Sequence, residues 1–196
     1  NPYIPEDREN FTALMRELRK ALDRIDTPQT LTFAAGASRN FFSHIETDKV
    51  MKQVDYINMM TYDFAGGGDR YTSHHTNLGA VTARDIEGTP AAETLTERKD
   101  TAWPSSAAEI IDFCIDEGIE PSKIVIGAAF YGKGWRSVPP GNNGLYQPAG
   151  EAWTGNGRYY ALRDGYENKN GYERHWIETV MAPYLFIPAA SIFVSD

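Results

Sequence analysis

Residues 55–67 have the sequence DYINMMTYDFAGG, and this stretch decides the fold that the chain predicts. Its apolar and β-favouring residues, 56–62, predict a buried strand, and the glycines after them predict a flexible loop. Tyr62 and Asp63 stand at the carboxyl end of that strand, where parallel α/β barrels place their reacting groups. The pair is therefore a candidate functional site, and the alternative is a strand-end cap with a structural hydrogen bond.

The segments on either side of this strand alternate between helical and strand patterns. Upstream, apolar positions at three- and four-residue spacing predict a helix from Glu6 to Ile25, followed by a strand from Thr30 to Ala37 and a short helical connection from Phe41 to Val54. Downstream, helical periodicity covers Ser105 to Glu117, and Ile124 to Tyr131 is almost continuously apolar, as in a strand covered on both faces. This order predicts an α/β fold with a parallel sheet.

The pattern changes after Gly134. Residues 135–196 are rich in glycine, asparagine and tyrosine, which favours a small α+β module. We expect one helix there, around Tyr172 to Tyr184, and a final strand from Ser191 to Val194. The sequence thus predicts two domains, residues 1–134 and residues 135–196.

Composition excludes several classes of function. The net charge is −8 and the 19 basic residues are scattered, so we predict no nucleic-acid partner. The single cysteine, Cys114, can form neither an intrachain disulfide nor a cysteine zinc site. No apolar run is long enough to span a bilayer, so we predict no membrane partner.

The polar segment from Gly66 to Thr101 is longer than an ordinary connection, so it is either a functional loop over a site or a mobile excursion. It contains the adjacent pair His74 and His75 near Asn77, which raises the question of a metal. Adjacent histidines in a polar loop usually point apart, and no glutamate completes a ligand set at helical spacing. We therefore predict no metal and no cofactor.

Two motifs, in their order and spacing, resemble the signatures of one enzyme family. The first is Met60-x-Tyr62-Asp63 after the strand residues 54–58, and the second is FYGKGW at 130–135. They resemble the sixth- and seventh-strand signatures of family 18 chitinases, which are glycoside hydrolases. Residues 172–196, with APYL at 182–185, look like the small α+β insertion that many of these chitinases carry after the seventh strand. The resemblance covers nearly the whole chain.

The resemblance implies a TIM (β/α)8 barrel, of which residues 1–134 would supply about strands 5 to 7 and residues 135–196 the insertion. It also implies hydrolysis of β-1,4 linkages between N-acetylglucosamine units in chitin and chitooligosaccharides. In this retaining, substrate-assisted mechanism a glutamic acid protonates the glycosidic oxygen, and the acetamido oxygen of the substrate attacks the anomeric carbon. Secretion to the extracellular space is implied in the same way.

The resemblance assigns catalytic roles to Tyr62 and Asp63. Tyr62 would donate a hydrogen bond to the acetamido group, and Asp63 would lie beside it as an acceptor for a sugar hydroxyl and an electrostatic neighbour of the acid. Substrate-binding roles fall to Met60 on the floor of the subsite, to Tyr131, to Lys133 where the family usually has arginine, and to Trp135, which either contacts sugar or braces the insertion.

The acid itself is the residue that these 196 positions lack. The family carries it at the end of the fourth strand in an Asp-x-x-Asp-x-Asp-x-Glu motif, which occurs nowhere in this sequence. We expect the motif upstream of Asn1, with the remaining barrel strands also outside this chain, and we expect the chain alone to be inactive. The alternative is a chitinase-like lectin that binds chitooligosaccharides without cutting them, as some relatives do after losing the acid.

Overall fold

The computed structural model describes residues 4–94 and 106–195, and the chain divides into two compact units. The first unit comprises residues 1–61 and 109–127, and the second comprises residues 62–108 and 128–196. The predicted boundary between residues 134 and 135 lies within the second unit, inside the strand Lys133–Arg136. In the ranges that the structure describes, no helix has both the length and the apolar character needed to cross a membrane.

The helices and strands carry the following labels in chain order: α1 (Asp7–Leu22), β1 (Thr32–Gly36), α2 (Arg39–Ser43), α3 (Thr47–Val50), β2 (Tyr56–Met60), α4 (Ala83–Ile86), α5 (Ala107–Asp116), β3 (Ile124–Ile126), β4 (Lys133–Arg136), β5 (Glu151–Ala152), α6 (Tyr159–Gly165), β6 (Glu173–Ile177), β7 (Ala182–Ile187) and β8 (Ile192–Ser195).

The first unit is built on a parallel sheet in the order β1-β2-β3. Burial alternates along β2, so that Ile57 and Met59 are fully buried between half-buried neighbours. On α1, Phe11 packs edge to face on Phe33 of β1, with 5.3 Å between ring centroids. The core of this unit is apolar, as the periodicity predicts, and consists mainly of Met15, Leu31, Ala35, Phe42, Ile45, Val50, Val54, Ile57, Met59, Ile110, Cys114 and Ile119.

The predicted alternation of helices and strands is confirmed in the first unit, with shorter elements. The strand predicted from Ile124 to Tyr131 is reduced to β3, and Val125 and Ile126 are exposed, so it is not covered on both faces. The connection predicted as one helical segment from Phe41 to Val54 instead contains two short helices, α2 and α3. Ser38 begins α2 by accepting a hydrogen bond from the backbone N–H of Phe41 at 3.1 Å. Glu46, with φ −91° and ψ 77°, has non-helical dihedrals and separates α2 from α3. The start proposed for the later helix, Ser105, lies outside the described residues.

The second unit is built on an antiparallel sheet in the order β5-β4-β8-β7-β6. Its final strand confirms the prediction for Ser191 to Val194, shifted to Ile192–Ser195. The helix predicted around Tyr172 to Tyr184 is wrong, because this stretch forms β6 and the start of β7. β6 is an edge strand exposed along most of its length, so it lacks the strict alternation that identifies a strand. The helix α6 was not predicted.

The polar segment that follows Asp63 also belongs to the second unit, and part of it is buried. Residues 71–75 are almost completely buried, although the segment that contains them is polar. Tyr71 forms a β-bridge with Pro148, and the hydroxyl of Thr72 donates to the carbonyl of Gly144 at 2.6 Å. These contacts hold the segment, whose residues 95–101 lie outside the described ranges.

Candidate functional site

Asp63 is the centre of the candidate site. Its backbone has φ 65°, in the left-handed region that aspartate tolerates better than most residues. This backbone conformation costs free energy, and residues that adopt it are concentrated at functional sites, so it supports Asp63 as a candidate site residue. The side chain is 47% exposed and is therefore accessible to a ligand.

Two side chains of the second unit meet on one oxygen of Asp63. The hydroxyl of Tyr131 donates to Oδ1 at 2.5 Å, and Nζ of Lys133 lies 2.9 Å from the same atom. Tyr131 and Lys133 are two positions apart in extended chain at the start of β4, which places both on one face. The other oxygen, Oδ2, accepts no hydrogen bond from any described residue and is the atom left for a ligand.

These contacts set the protonation states at neutral pH. Burial by itself would raise the pKa of Asp63, but the hydrogen bonds from Tyr131 and Lys133, with the lysine charge, outweigh it and lower that pKa below its ordinary value. Burial, followed by the hydrogen bond to Asp63, raises the pKa of Tyr131 well above its ordinary value. The site therefore holds an ionised carboxylate against a protonated phenol.

Tyr62 and the glycine loop border this cluster. The ring of Tyr62 meets the ring of Tyr131 edge to face, with 6.1 Å between centroids. A Cβ on Gly66 would lie 3.5 Å from Cδ of Lys133, so the loop passes along the lysine side chain. At Gly67 a Cβ would come within 2.3 Å of Cβ of Ala152, and only glycine permits that approach to β5.

His75 belongs to the site, although the sequence did not indicate it. Its side chain is fully buried, and Nε2 lies 3.0 Å from the carbonyl oxygen of Tyr131. Nδ1 lies 3.9 Å from Oδ1 of Asp63. Burial, opposed by the bond to Tyr131, lowers the pKa of His75 to about 4, so the ring is neutral at neutral pH. These partners are distant in sequence, so no local sequence pattern predicts their contacts with His75.

His74 faces other neighbours. It is fully buried, and neither ring nitrogen has a hydrogen-bond partner among the described side chains and backbone. Its ring makes edge contacts with Tyr146 and Tyr184 at 6.0 and 6.1 Å between centroids. Within residues 4–94 and 106–195, no three histidine, cysteine or acidic side chains are grouped so as to hold a metal ion.

The remaining two predicted site residues are Met60 and Trp135. Met60 is the last residue of β2 and belongs to the first unit. Trp135 in β4 is fully buried and packs against Phe193, with 5.6 Å between ring centroids. Its ring presents no exposed face, which favours the bracing interpretation over contact with sugar.

Comparison with known proteins identifies the family. A family model described as "Glycosyl hydrolases family 18" matches residues 2–195. Chitinase A1 of Niallia circulans is 34% identical over 205 residues, which cover 100% of this chain and 28% of that protein. The chain spans from about a quarter to about a half of the length of the curated relatives that it matches.

Solved structures agree with this match. Chitinase ChiA74 of Bacillus thuringiensis superposes with a TM-score of 0.84 at 33% identity, over 100% of this chain and 32% of that one. A family 18 N-acetylglucosaminidase of Paenibacillus barengoltzii superposes with a TM-score of 0.82 at 36% identity, over 99% of this chain and 53% of that one. The chain therefore belongs to glycosyl hydrolase family 18.

Proposed function

We propose that the protein containing this chain is a chitinase that hydrolyses β-1,4 linkages between N-acetylglucosamine units by the retaining, substrate-assisted mechanism. The observation that carries the proposal is the Asp63 carboxylate held through one oxygen by Tyr131 and Lys133, in a chain of this family. The chitinase names of the Niallia circulans and Bacillus thuringiensis relatives support the same substrate.

The fold proposal follows from the family, whose fold is a TIM barrel. In it, β1, β2 and β3 are barrel strands 5, 6 and 7, and the antiparallel sheet of the second unit is the α+β insertion. Residues outside this chain supply the other strands and the general acid, since the acid motif is absent from the sequence. The chain alone is then inactive, and the complete protein is extracellular, where chitin is found.

The substrate-assisted mechanism requires negative charge near the acetamido group, because positive charge develops there as its oxygen attacks the anomeric carbon. Asp63 supplies it. Lys133 and Tyr131 keep the carboxylate ionised and fix Oδ1, so that Oδ2 faces no competing donor from the described residues. The phenolic hydroxyl of Tyr62 then donates a hydrogen bond to the acetamido group, and Tyr131 holds the carboxylate in place.

Lys133 departs from the arginine that is usual in the family. An ammonium group makes a point contact with Oδ1, whereas a guanidinium would bind both carboxylate oxygens at once. The lysine thus leaves Oδ2 open. Met60 remains a proposed floor of the subsite, while Trp135 supports β4 from within the core and contacts no sugar.

The test is hydrolysis of a fluorogenic chitobioside by the complete protein and by the 196-residue chain. We expect cleavage by the complete protein only. Asp63→Asn should lower kcat about a hundred- to a thousandfold, the loss typical when one preorganised charge contact is removed. Asp112→Asn, on the exposed face of α5, is the matched control and should leave kcat unchanged.

The outcomes separate the alternatives. If the complete protein binds chitooligosaccharides without cleaving them, the chitinase proposal is wrong and the lectin alternative is supported. If it neither binds nor cleaves them, chitin is not its ligand. Release of single N-acetylglucosamine units would match the activity named for the Paenibacillus barengoltzii structure. An Asp63→Asn variant as active as the parent would contradict the role of Asp63.

A further inference from the structure

We propose that His75 is a positioning residue that holds Asp63 and Tyr131 in their reactive arrangement through a neutral imidazole with its proton on Nε2. The kinetic part of this inference rests on the proposed chitinase function. Its structural part stands on the contacts of His75 alone.

His75 is tied to both segments that form the site. Its backbone carbonyl accepts from the N–H of Phe64, the residue after Asp63, at 3.1 Å. Its ring reaches the carbonyl of Tyr131 through Nε2 at 3.0 Å. Its own N–H donates to Oγ of Ser195 in β8 at 3.0 Å. One buried residue thus fixes the chain on either side of the Asp63–Tyr131 hydrogen bond.

The carbonyl partner decides the tautomer. A backbone carbonyl oxygen only accepts hydrogen bonds, so Nε2 must carry the proton. In a neutral ring Nδ1 then has a lone pair and no proton. This nitrogen lies 3.9 Å from Oδ1 of Asp63 and has no hydrogen-bond partner among the described residues. It therefore leaves Oδ1 to Tyr131 and Lys133.

The ring also supports the phenol that it anchors. The His75 and Tyr131 rings lie 5.3 Å apart between centroids at an angle of 33°. Because the same residue holds the backbone and one ring face of Tyr131, it restricts where the Tyr131 hydroxyl points. That hydroxyl is the 2.5 Å donor to Asp63.

A charged ring would disturb this arrangement. The ionisable groups facing His75 are Asp63, Lys133 and the Tyr131 hydroxyl, with His74 adjacent in the chain. Protonated Nδ1 would bring a third donor toward Oδ1 and a second positive charge beside Lys133. Complete burial of the ring keeps it neutral at neutral pH.

The test compares two variants of the complete protein. His75→Phe keeps a ring of similar size and removes the donor to Tyr131, whereas His75→Gln can still donate to that carbonyl. We expect His75→Phe to raise the pKa of Asp63, which carboxyl carbon NMR measures as a function of pH. The same variant should lower kcat about ten- to a hundredfold, with less effect on KM. His75→Gln should recover part of both changes.

His74→Phe is the matched control, since His74 is equally buried and makes no contact with Asp63. It should change neither the Asp63 pKa nor kcat. Nitrogen NMR of the parent protein should show the proton of His75 on Nε2. A proton on Nδ1, or an Asp63 pKa and kcat unchanged in His75→Phe, would overturn the inference. If the parent protein cleaves no chitooligosaccharide, the proposed function fails, while the Asp63 pKa still decides whether His75 positions the carboxylate.

Discussion

The two compact units bury different kinds of side chain. The core of the first unit is apolar, with only two polar residues fully covered, Thr12 and Thr61, among those described. The second unit also has apolar clusters, but it buries many more polar groups: Thr72, Ser73, His74, His75, Asn77, Ser106, Gln147 and Ser195. The first unit is therefore stabilised mainly by packing, and the second depends in addition on hydrogen bonds and protonation states.

The difference has a structural cause. In the first unit, helices and a parallel sheet satisfy the backbone internally, so apolar side chains can fill the interior. In the second unit an irregular segment runs through the interior, and its backbone groups need other partners. Thr72 serves the backbone of Gly144 and Gln147, and His75 serves that of Phe64 and Tyr131. For the side chains of Thr72 and His75, polar burial is thus the consequence of burying irregular chain.

Lowering the pH should produce the largest difference in stability between the two units. Burial lowers the pKa of both His74 and His75 to about 4, from about 6.5 in the unfolded chain. The unfolded state binds more protons between these values, so stability is complete above pH 6.5 and falls as the pH drops toward 4. Each histidine can remove up to about 3 kcal/mol from the free energy of unfolding.

Hydrogen exchange at pH 7 and pH 4.5, corrected for intrinsic exchange rates, measures this loss. Peptides of β7 and β8 should lose protection at pH 4.5, and peptides of β1 and β2 should lose much less. His44→Gln, at a half-buried histidine of the first unit, is the control and should leave the response of the second unit unchanged. Equal loss in the two units would contradict the assignment to the buried histidines.

The next largest effect should come from packing in the first unit. Ile57 is fully buried in β2, the middle strand of the sheet, and is paired with Phe33 and Ile124 on the two flanking strands. Ile57→Ala should lower the free energy of unfolding by about 2–5 kcal/mol, and Ile57→Val by about 0.5–1.5 kcal/mol, because each leaves a cavity. Urea denaturation of the parent and both variants measures this.

Val125→Ala is the control for this series, since Val125 is 44% exposed on β3. It should cost less than about 1 kcal/mol. An Ile57→Ala variant no less stable than Val125→Ala would show that the first unit does not depend on its apolar core.

The same contrast explains what the sequence could predict. Most helices and strands of the first unit could be predicted because local periodicity in the sequence identifies them, as the apolar positions of α1 and the alternation along β2 do. Motifs that resemble those of one family also predicted Tyr62, Asp63, Tyr131 and Lys133 as site residues, and the structure brings these four side chains together. The contacts of His75 were not predicted, because its partners Ser195 and Tyr131 lie far away in sequence. β6 was missed because an exposed edge strand has no buried face to set a period of two.

A smaller effect should separate hydrogen bonding from packing in the second unit. The hydroxyl of buried Thr72 donates to the carbonyl of Gly144 at 2.6 Å and accepts from the N–H of Gln147 at 3.0 Å. Thr72→Val keeps the shape but leaves both backbone groups without this partner, which should cost about 1–3 kcal/mol. Thr72→Ser keeps the hydroxyl and removes one methyl group, which should cost less, near 0.8 kcal/mol per carbon as an order of magnitude. If urea denaturation shows Ser to be the worse replacement, packing and not hydrogen bonding holds this segment.

The smallest effect should come from His74, where the logic of Thr72 is reversed. Both imidazole nitrogens are buried without a partner among the described residues, so the folded state already bears the cost of their desolvation. His74→Phe removes that cost and keeps an aromatic ring against Tyr146 and Tyr184. At pH 7 the free energy of unfolding should therefore rise, or change by less than about 1 kcal/mol. Between pH 6.5 and 4 the variant should lose the part of the acid destabilisation that His74 causes, while the part that His75 causes remains.

A loss of about 2 kcal/mol or more in the free energy of unfolding at pH 7 would instead mean that the His74 imidazole is hydrogen-bonded in solution, with ordered water as the available partner. The second unit would then depend at both histidines on satisfied polar groups, and its contrast with the apolar first unit would be sharper.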